Sequence, residues 1–174
     1  RAYSTKVSYE RDFLSALTPE LLALRNRTAA IGAQKYMKDI APFLGVKTPE
    51  RRALVKKIAR KLKPPSSDEL ALTARALWKL KEREYQYAAY DLIQIYIEQA
   101  DKNFLSNHVE YLITHKSWWD TVDGLGTAAV SPLTDKYGCE KLIEKWNKSS
   151  NIWLIRSAIQ HQRGRKFETD TKLI

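Results

Sequence analysis

Apolar residues recur every three or four positions along most of this chain, which is the spacing that places them on one face of an α-helix. Residues 48–63, T-P-E-R-R-A-L-V-K-K-I-A-R-K-L-K, show this pattern together with its boundaries. Thr48 is suited to cap the helix and Pro49 to occupy its first turn, and Pro64-Pro65 cannot continue it. The segment is therefore predicted to be one helix.

Further helices follow from the same periodicity. Ser66 and Glu69 have the spacing of a capping box, which predicts that a second helix starts there. The remaining helical patterns cover residues 82–100, 102–114, 118–130, 138–147 and 151–162. Because no segment alternates apolar and polar residues between turn signals, the sequence predicts an all-α fold.

The predicted helices are short and fall into pairs. Each pair advances the chain by about 35–40 residues, which is within the range of HEAT-like repeats. We therefore expect a curved solenoid of HEAT-like antiparallel helical hairpins; a compact helical bundle is the alternative. Residues 1–174 are expected to form a single helical-repeat domain. Its last residues, F-E-T-D-T-K-L-I, resemble the start of another helix, so C-terminal repeats are expected to be missing.

The chain is strongly basic, with 30 Lys and Arg residues against 20 Asp and Glu and a net charge of +10. Such an excess favours a polyanionic partner, either nucleic acid or an anionic membrane surface, and a general solubility charge is the alternative. Candidate phosphate contacts are Lys56, Lys57, Arg60, Lys61, Lys63 and the run 163–166. The lysines of residues 56–63 are equally consistent with a solvated outer helix face.

The single cysteine, Cys139, excludes an internal disulfide framework and favours a reducing compartment. We expect this thiol to be packed and not reactive. No apolar run approaches the roughly 18 residues of a membrane span, and no signal-peptide pattern opens the sequence. The predicted location is therefore the cytoplasm, with no membrane association.

The sequence contains no recognisable metal or cofactor motif. His108, His115 and His161 lack cysteines or carboxylates at metal-ligand spacing. A phosphate-binding glycine loop and a Ser/His/Asp pattern are also absent from the sequence. We therefore expect neither a metal nor an organic cofactor.

Residues 116–126, K-S-W-W-D-T-V-D-G-L-G, place tryptophans next to carboxylates. Three apolar residues at helical spacing are expected to enter the core: Trp118, Val122 and Leu125. Trp119 and Asp123 would then share a second face, with Gly126 leaving room for a ligand to approach the backbone. Asp120 either joins the edge of that face or stabilises the first helical turn. The alternatives are a second core tryptophan at Trp119 and an ordinary surface carboxylate at Asp123.

Residues 151–159, N-I-W-L-I-R-S-A-I, form a second informative segment, with Asn151 as the expected N-cap. One apolar stripe comprises Ile152, Ile155 and Ile159. Trp153 and Arg156 share a different face of this helix. The planar guanidinium of Arg156 is suited to bind a phosphate; pairing with a nearby carboxylate is the alternative.

Together these segments resemble the DNA alkylation repair glycosylases built from HEAT-like repeats, the AlkD-like family. K-S-W-W-D-T-V-D (116–123) and N-I-W-L-I-R-S-A-I (151–159) carry the resemblance. Supporting segments are F-L-G-V-K-T-P-E-R-R (43–52), R-E-Y-Q-Y-A-A-Y-D (83–91) and Q-K-Y-M-K (34–38). The similarity extends from about residue 34 to residue 160, in the expected order.

The resemblance implies a stack of helical hairpins whose concave basic face holds duplex DNA. The implied activity is hydrolysis of the N-glycosidic bond of cationic alkylpurines, chiefly 7-alkylguanine and 3-alkyladenine, as a step of base excision repair. Asp123 matches the catalytic aspartate, and Trp119 matches an aromatic residue that packs against the sugar of the lesion. Residues expected to contact DNA are Arg156 near the backbone, Tyr36 on the concave face, Trp153 and Lys116.

The resemblance further implies a monomer that acts on duplex DNA containing alkylated purines. The sequence departs from the family pattern in two respects. A tryptophan expected in a later repeat has no counterpart, and Gly124 and Gly126 weaken the helix that carries Asp123.

Two other functions are compatible with a basic helical-repeat chain. The first is a protein that binds DNA without breaking the glycosidic bond, and the second is a scaffold that binds an acidic protein. A neutral residue at position 123 would have favoured the first, so the presence of both Trp119 and Asp123 favours the enzyme.

Overall fold

The computed structural model describes residues 8–165 and 169–171, and every regular element within these ranges is helical. The prediction of an all-α fold is therefore confirmed. The α-helices are α1 (Tyr9–Ala23), α2 (Arg27–Tyr36), α3 (Thr48–Ala59), α4 (Ser67–Lys79), α5 (Arg83–Ile95), α6 (Glu110–Thr114), α7 (Trp119–Leu125), α8 (Ser131–Tyr137), α9 (Glu140–Asn147) and α10 (Ile152–Ile159). A 3₁₀ turn covers Ile97–Gln99, and π-helical turns cover Leu105–Val109 and Gly126–Val130.

The chain divides into two compact units, Arg1–Leu92 and Ile93–Ile174, called here the N-terminal and C-terminal units. The expectation that the chain forms a single domain remains a prediction, as does the curved solenoid of helical hairpins. None of the helices in the described ranges is both long enough and apolar enough to cross a membrane.

Most predicted helix boundaries are reproduced to within a few residues. Thr48 is the first residue of α3 and not its cap, because the extended residue is Lys47 (φ −68°, ψ 146°). The capping box before α4 is present: the Ser66 hydroxyl accepts from the Glu69 N–H at 3.2 Å, and the Glu69 carboxylate accepts from the Ser66 N–H at 2.8 Å. Local capping chemistry therefore sets where α4 begins.

The prediction that a helix ends at Val130 is wrong, whereas the helix predicted from Gly138 corresponds to α9, which begins at Glu140. α7, the π-helical turn Gly126–Val130 and α8 follow one another without a break. Pro132 lacks an N–H, and in a regular α-helix its ring would clash with the carbonyl four residues earlier. The wider π-helical turn directly before α8 accommodates this proline. Gly138, in the left-handed conformation at φ 61°, ends the helix instead.

In the N-terminal unit, α1 packs against α3 and α4. The apolar stripe predicted for α3 is buried at Leu54, Val55 and Ile58. The other buried apolar residues of this core include Phe13, Leu17 and Leu21 of α1 and Leu70, Ala74, Leu77 and Trp78 of α4. Their removal from water supplies the main stabilising free energy of the unit.

A buried carboxylate organises the segment between α2 and α3. Glu84, at the start of α5, accepts backbone N–H bonds from Leu44 at 2.9 Å, Gly45 at 2.8 Å and Val46 at 3.3 Å. Gly45 has φ 81°, and a Cβ there would overlap the carbonyl oxygen of Asn26 and the backbone nitrogen of Ala30. Only glycine therefore fits where this loop crosses the start of α2.

A second buried polar group joins α3 to α5. The Arg51 Nε donates to an Asp91 carboxylate oxygen at 2.8 Å, and both side chains are almost fully buried. The Arg51 guanidinium also lies 4.9 Å from the centre of the Tyr87 ring. The charge of Arg51 is thus compensated within the core by a carboxylate and an aromatic face.

In the C-terminal unit, α10 packs against α6, α7 and α9. Trp146 of α9 is fully buried, and its indole N–H donates to the Glu110 carboxylate of α6 at 2.7 Å. Tyr137, at the end of α8, donates its hydroxyl to the Ala100 carbonyl at 2.8 Å. These contacts fix the helices that surround α7 and α10.

Replacement of Gly45 by alanine should destabilise the protein by at least about 3 kcal/mol, since the new Cβ meets two backbone atoms at a left-handed φ. The matched control is Gly32→Ala in the exposed middle of α2, where nothing lies within 4 Å of the added Cβ. That change should raise stability by about 0.5–1 kcal/mol. Urea unfolding of both variants measures the difference, and equal effects would contradict the packing described at Gly45.

Cys139 should react slowly with thiol reagents at neutral pH. Its side chain is half-buried, and burial, assisted by the negative charge of Glu140, raises the pKa of the thiol above its ordinary value. The thiolate therefore forms only at higher pH than in an unfolded chain. The rate of reaction with Ellman's reagent, followed against pH, should have a higher midpoint in the native protein than in the same protein in denaturant. A native midpoint at or below the denatured one would be the opposite result.

Candidate functional site

The turn before α7 sets which of its residues reach the surface. Lys116 has a left-handed backbone (φ 52°), and Trp118 is extended (φ −157°, ψ 165°) just before the first helical residue, Trp119. Thr121, Val122 and Leu125 face the core. As a result, Trp119 and Asp123 lie on the outward side of the helix.

The two tryptophans take different environments, although Trp118 does not enter the core as Val122 and Leu125 do. Trp119 is 37% exposed and is not a second core residue. Trp118 is half-buried and tilted against Trp153 of α10, with the ring centres 5.8 Å apart. Gly126, however, does not leave an opening: it is buried, and a Cβ there would lie 3.8 Å from the Gln160 side-chain oxygen. The expected approach to the backbone at Gly126 is therefore wrong.

α10 presents an apolar side outward. Asn151 caps the helix as predicted, since its side chain accepts the Trp153 N–H at 2.9 Å. The residues that face the core are Leu154, Ser157 and Ala158. Ile152 and Ile159 are instead 69% and 70% exposed. The small side chains of Ser157 and Ala158 allow α10 to approach its neighbours closely, which explains why the bulkier isoleucine stripe remains outside.

Asp123 and Arg156 form a two-pronged ion pair between α7 and α10. The Arg156 Nε donates to Asp123 Oδ1 at 2.7 Å, and Nη2 donates to Oδ2 at 2.8 Å. The Asp123 side chain is 20% exposed. The hydrogen bond from Arg156 to Asp123 raises the pKa of the arginine. Of the two possibilities open at the sequence level, pairing with a carboxylate is the one that the structure contains.

A second arginine approaches the same carboxylate. The Arg163 Nη1 lies 3.6 Å from Asp123 Oδ2, beyond hydrogen-bond range, and its side chain is 52% exposed. Arg163 is seven residues after Arg156 in the sequence, in the turn that follows α10. Sequence reasoning placed Arg163 among general phosphate contacts and missed its position beside Asp123, because the turn after α10, and not helical spacing, brings it there.

An open cleft of about 420 Å³, called here the aromatic cleft, lies between α7 and α10. Its lining residues are Trp119, Ile152, Trp153, Ile155, Arg156, Ile159 and Gln160. The cleft therefore combines two indole rings, an isoleucine face and the guanidinium that holds Asp123. The isoleucine stripe and the Trp153–Arg156 pair, predicted on different faces, line the same cleft.

A second open cleft, of about 440 Å³, is called here the polar cleft. Its lining residues are Gln94, Ile97, Thr127, Ala128, Ser131, Pro132, Asp135, Arg163, Gly164 and Arg165. Thr127 is one helical turn after Asp123, and Trp119 is one turn before it. Asp123 thus lies between the two clefts along the helix.

The remaining predicted DNA contacts lie elsewhere in the chain. Tyr36, at the end of α2 in the N-terminal unit, is 69% exposed and borders a cleft of about 270 Å³. Lys116 is exposed immediately before α7. Lys56, Lys57, Arg60, Lys61 and Lys63 are all exposed on or just after α3, and Lys57 pairs with Glu20 at 2.7 Å. Lys166 lies outside the described residues.

Across residues 8–165 and 169–171, no group of three or more histidine, cysteine or acidic side chains is arranged to hold a metal ion. The chemistry that the site offers comes from a carboxylate, two guanidinium groups and an aromatic surface.

Comparison with known proteins identifies the family. The family model described as DNA alkylation repair enzyme matches residues 17–174. The structure is similar to a solved structure described as a predicted DNA alkylation repair enzyme from Enterococcus faecalis, with a TM-score of 0.77 and 26% sequence identity, over 86% of this chain and 70% of that one. A search of curated proteins finds no match to this sequence. Because the family model covers most of the chain, including α7 and α10, this protein belongs to the DNA alkylation repair enzyme family.

Proposed function

We propose that the protein is a DNA glycosylase that hydrolyses the N-glycosidic bond of cationic alkylated purines, 7-alkylguanine and 3-alkyladenine, in duplex DNA. The observation that carries the proposal is the position of Asp123 on the open side of α7, one turn from the exposed Trp119 and beside a cleft lined by aromatic residues. Membership of a DNA alkylation repair family supports the substrate class.

The chemistry of the lesion accounts for the residue types. A purine alkylated at N7 or N3 carries a positive charge, so it leaves as a neutral base without a general acid. The sugar becomes oxocarbenium-like as its C1′–N bond breaks, and water then adds to C1′ and loses a proton. A carboxylate near C1′ stabilises the developing positive charge and orients that water. The products are the free base and an abasic site.

The ion pair with Arg156 shapes what Asp123 can do. A carboxylate has about four lone-pair positions, and the guanidinium occupies two of them. The two others remain available to a water molecule, and the fixed geometry of the pair holds the carboxylate in one orientation. Arg156 therefore acts as a positioning residue for Asp123 as well as a proposed DNA contact.

Trp119 supplies a second source of stabilisation. Its exposed indole lines the aromatic cleft next to Asp123. An aromatic face adjacent to a desolvated cation contributes about 1–2 kcal/mol. Because the cation forms as the bond breaks, this contribution favours the transition state over the ground state.

DNA binding is proposed to be mainly electrostatic. The net charge of +10 and the exposed lysines on and just after α3 favour binding to the phosphate backbone. Such binding does not depend on the DNA sequence. Tyr36, Lys116 and Trp153 are the further DNA contacts that we propose. The same proposal describes a cytoplasmic monomer that acts in base excision repair without a cofactor.

One observation favours a second candidate, a family member that binds DNA without breaking the glycosidic bond. Both oxygens of Asp123 are hydrogen-bonded to Arg156, as in an ion pair that only joins two helices. In that case Asp123 would contribute to stability and binding geometry alone, and the protein would release no base.

Asp123→Asn should slow the release of 7-methylguanine from a duplex oligonucleotide by about 10²-fold, a loss of about 2.7 kcal/mol of transition-state stabilisation. The asparagine keeps the shape of the side chain but loses its charge and one of its two hydrogen bonds from Arg156. Single-turnover release followed by chromatography gives the rate, and fluorescence anisotropy gives the affinity for duplex, which should change by less than threefold.

The matched control for this prediction is Asp120→Asn, the same substitution in the first turn of the same helix. It should cost only a few tenths of a kcal/mol of stability and leave the rate nearly unchanged. If the wild-type protein binds duplex but releases no base, the non-catalytic candidate is correct. If both variants lose activity equally, the effect comes from the helix and not from Asp123.

Trp119→Leu should reduce the single-turnover rate by about 5- to 30-fold, because leucine preserves apolar cover but has no aromatic face. Trp119→Phe should retain most of the activity. Both rates are measured on the oligonucleotide with 7-methylguanine, with the thermal midpoint as a check on folding. Equal losses for leucine and phenylalanine would show that size, and not the aromatic face, matters at this position.

A further inference from the structure

We propose that the polar cleft is a phosphodiester-binding site, which holds the backbone phosphate next to the lesion while the aromatic cleft holds its sugar. This inference rests on the proposed function. It adds Arg163 to the site as a phosphate ligand and gives the two clefts complementary roles on either side of Asp123.

The lining of the polar cleft has the chemistry of an anion site. It contains the guanidinium groups of Arg163 and Arg165 and the amide of Gln94, together with the Asp135 carboxylate that pairs with Arg165. The hydroxyl groups of Thr127 and Ser131 also line it, but they donate to the backbone carbonyls of Asp123 and Arg163. Guanidinium groups bind phosphate oxygens through paired donors, and an amide N–H completes such contacts. The aromatic cleft, by contrast, offers mainly ring and aliphatic carbon atoms.

Positively charged side chains outnumber negatively charged ones around Asp123. Three guanidinium groups, those of Arg156, Arg163 and Arg165, face two carboxylates. Arg156 donates two hydrogen bonds to Asp123, and Arg165 pairs with Asp135. The excess positive charge therefore resides on Arg163, whose Nη1 lies 3.6 Å from Asp123 without a hydrogen bond to it. One bound phosphate would balance the count.

Arg165 is held in place by two partners within the protein. Its Nη1 donates to the Gln162 side chain at 3.0 Å and its Nη2 pairs with Asp135, so the guanidinium is fixed at the wall of the cleft. This guanidinium therefore occupies a fixed position in the lining of the cleft.

The turn that carries Arg163 is itself held in place. The Ser131 hydroxyl donates to the Arg163 carbonyl at 3.1 Å, which ties the turn after α10 to the start of α8. The guanidinium at the end of this residue remains 52% exposed. Arg163 thus combines a fixed backbone with a side chain that is accessible to DNA.

The arrangement matches the order of groups within one nucleotide. Trp119 lies one turn before Asp123 and Thr127 one turn after it, so the aromatic cleft, the carboxylate and the polar cleft follow one another along the helix. A nucleotide presents its base and sugar on one side and its phosphate on the other. When the sugar lies in the aromatic cleft and the phosphate lies in the polar cleft, the sugar is next to Asp123.

Phosphate binding also has an electrostatic consequence for the reaction. Before DNA binds, the excess charge on Arg163 opposes a cationic transition state next to Asp123. A phosphodiester bound by Arg163 cancels that charge. The proposed site therefore both positions the nucleotide and makes the surroundings of Asp123 favourable to the oxocarbenium-like sugar.

The test uses duplexes with one 7-methylguanine and an uncharged methylphosphonate at either the 5′ or the 3′ linkage of that nucleotide. Wild type should lose about tenfold in single-turnover rate at one of the two linkages. Arg163→Gln should lose about the same on the natural duplex and lose nothing further on that methylphosphonate. Lys141→Gln removes an equal charge from exposed α9, and it should keep both the wild-type rate and the wild-type response.

A binding arm keeps the test independent of catalysis. The affinity of each protein is measured for a duplex with an uncleavable tetrahydrofuran abasic site, with and without the methylphosphonate. The Arg163→Gln and methylphosphonate losses should again be non-additive, and the log–log salt slope should fall by about 0.9 in either case.

Additive losses, or no effect of either linkage, would overturn the phosphodiester site. An absence of base release by wild type, with non-additive binding retained, would overturn the glycosylase proposal alone. Wild-type thermal midpoints for Arg163→Gln and Lys141→Gln confirm that both variants are folded.

Discussion

The paired hydrogen bonds between Arg156 and Asp123 are the contact on which the open surface of the C-terminal unit depends. They join α7 to α10 at 2.7 and 2.8 Å. Because both oxygens of the carboxylate are engaged, the carboxylate has one orientation, and α7 and α10 are held together beside the aromatic cleft. Arg163 then approaches a carboxylate that is already oriented. The geometry of both clefts therefore follows from this ion pair.

Local rules predicted most of the helices from α3 onward, whereas α1, α2 and α8 were not predicted, and tertiary packing decided the arrangement of the side chains. Capping at Ser66 and Asn151 and the exposure of Trp119 follow from spacing within one helix. The outward isoleucine stripe of α10 does not, because the choice of Ser157 and Ala158 as the packed face depends on neighbouring helices. The partner of Arg156 was likewise undetermined, since phosphate and carboxylate suit a guanidinium equally and only the fold brings Asp123 within reach.

Two segments of the N-terminal unit that resemble the family contact each other in the core of that unit. Residues 43–52 and 83–91 are far apart in sequence, but Glu84 receives the backbone N–H groups of the first segment, and Asp91 pairs with Arg51. Neither carboxylate could be assigned this role from the sequence, because burial of a charged residue becomes evident only when its partners are known. These motif residues stabilise the fold, whereas those of α7 and α10 form the clefts.

The π-helical turn between α7 and α8 has a consequence for the direction in which Asp123 points. A π-helical turn holds one residue more than an α-helical turn, and each residue advances an α-helix by about 100°. The extra residue in Gly126–Val130 thus sets the rotation of the Asp123 face against the packed face of α8. Loss of one residue from this turn would leave the composition of α7 intact and turn its carboxylate by about a quarter of a revolution. The direction in which Asp123 faces is thus set by the length of a turn in which Thr127 and the adjacent Ala128 line one of the two clefts.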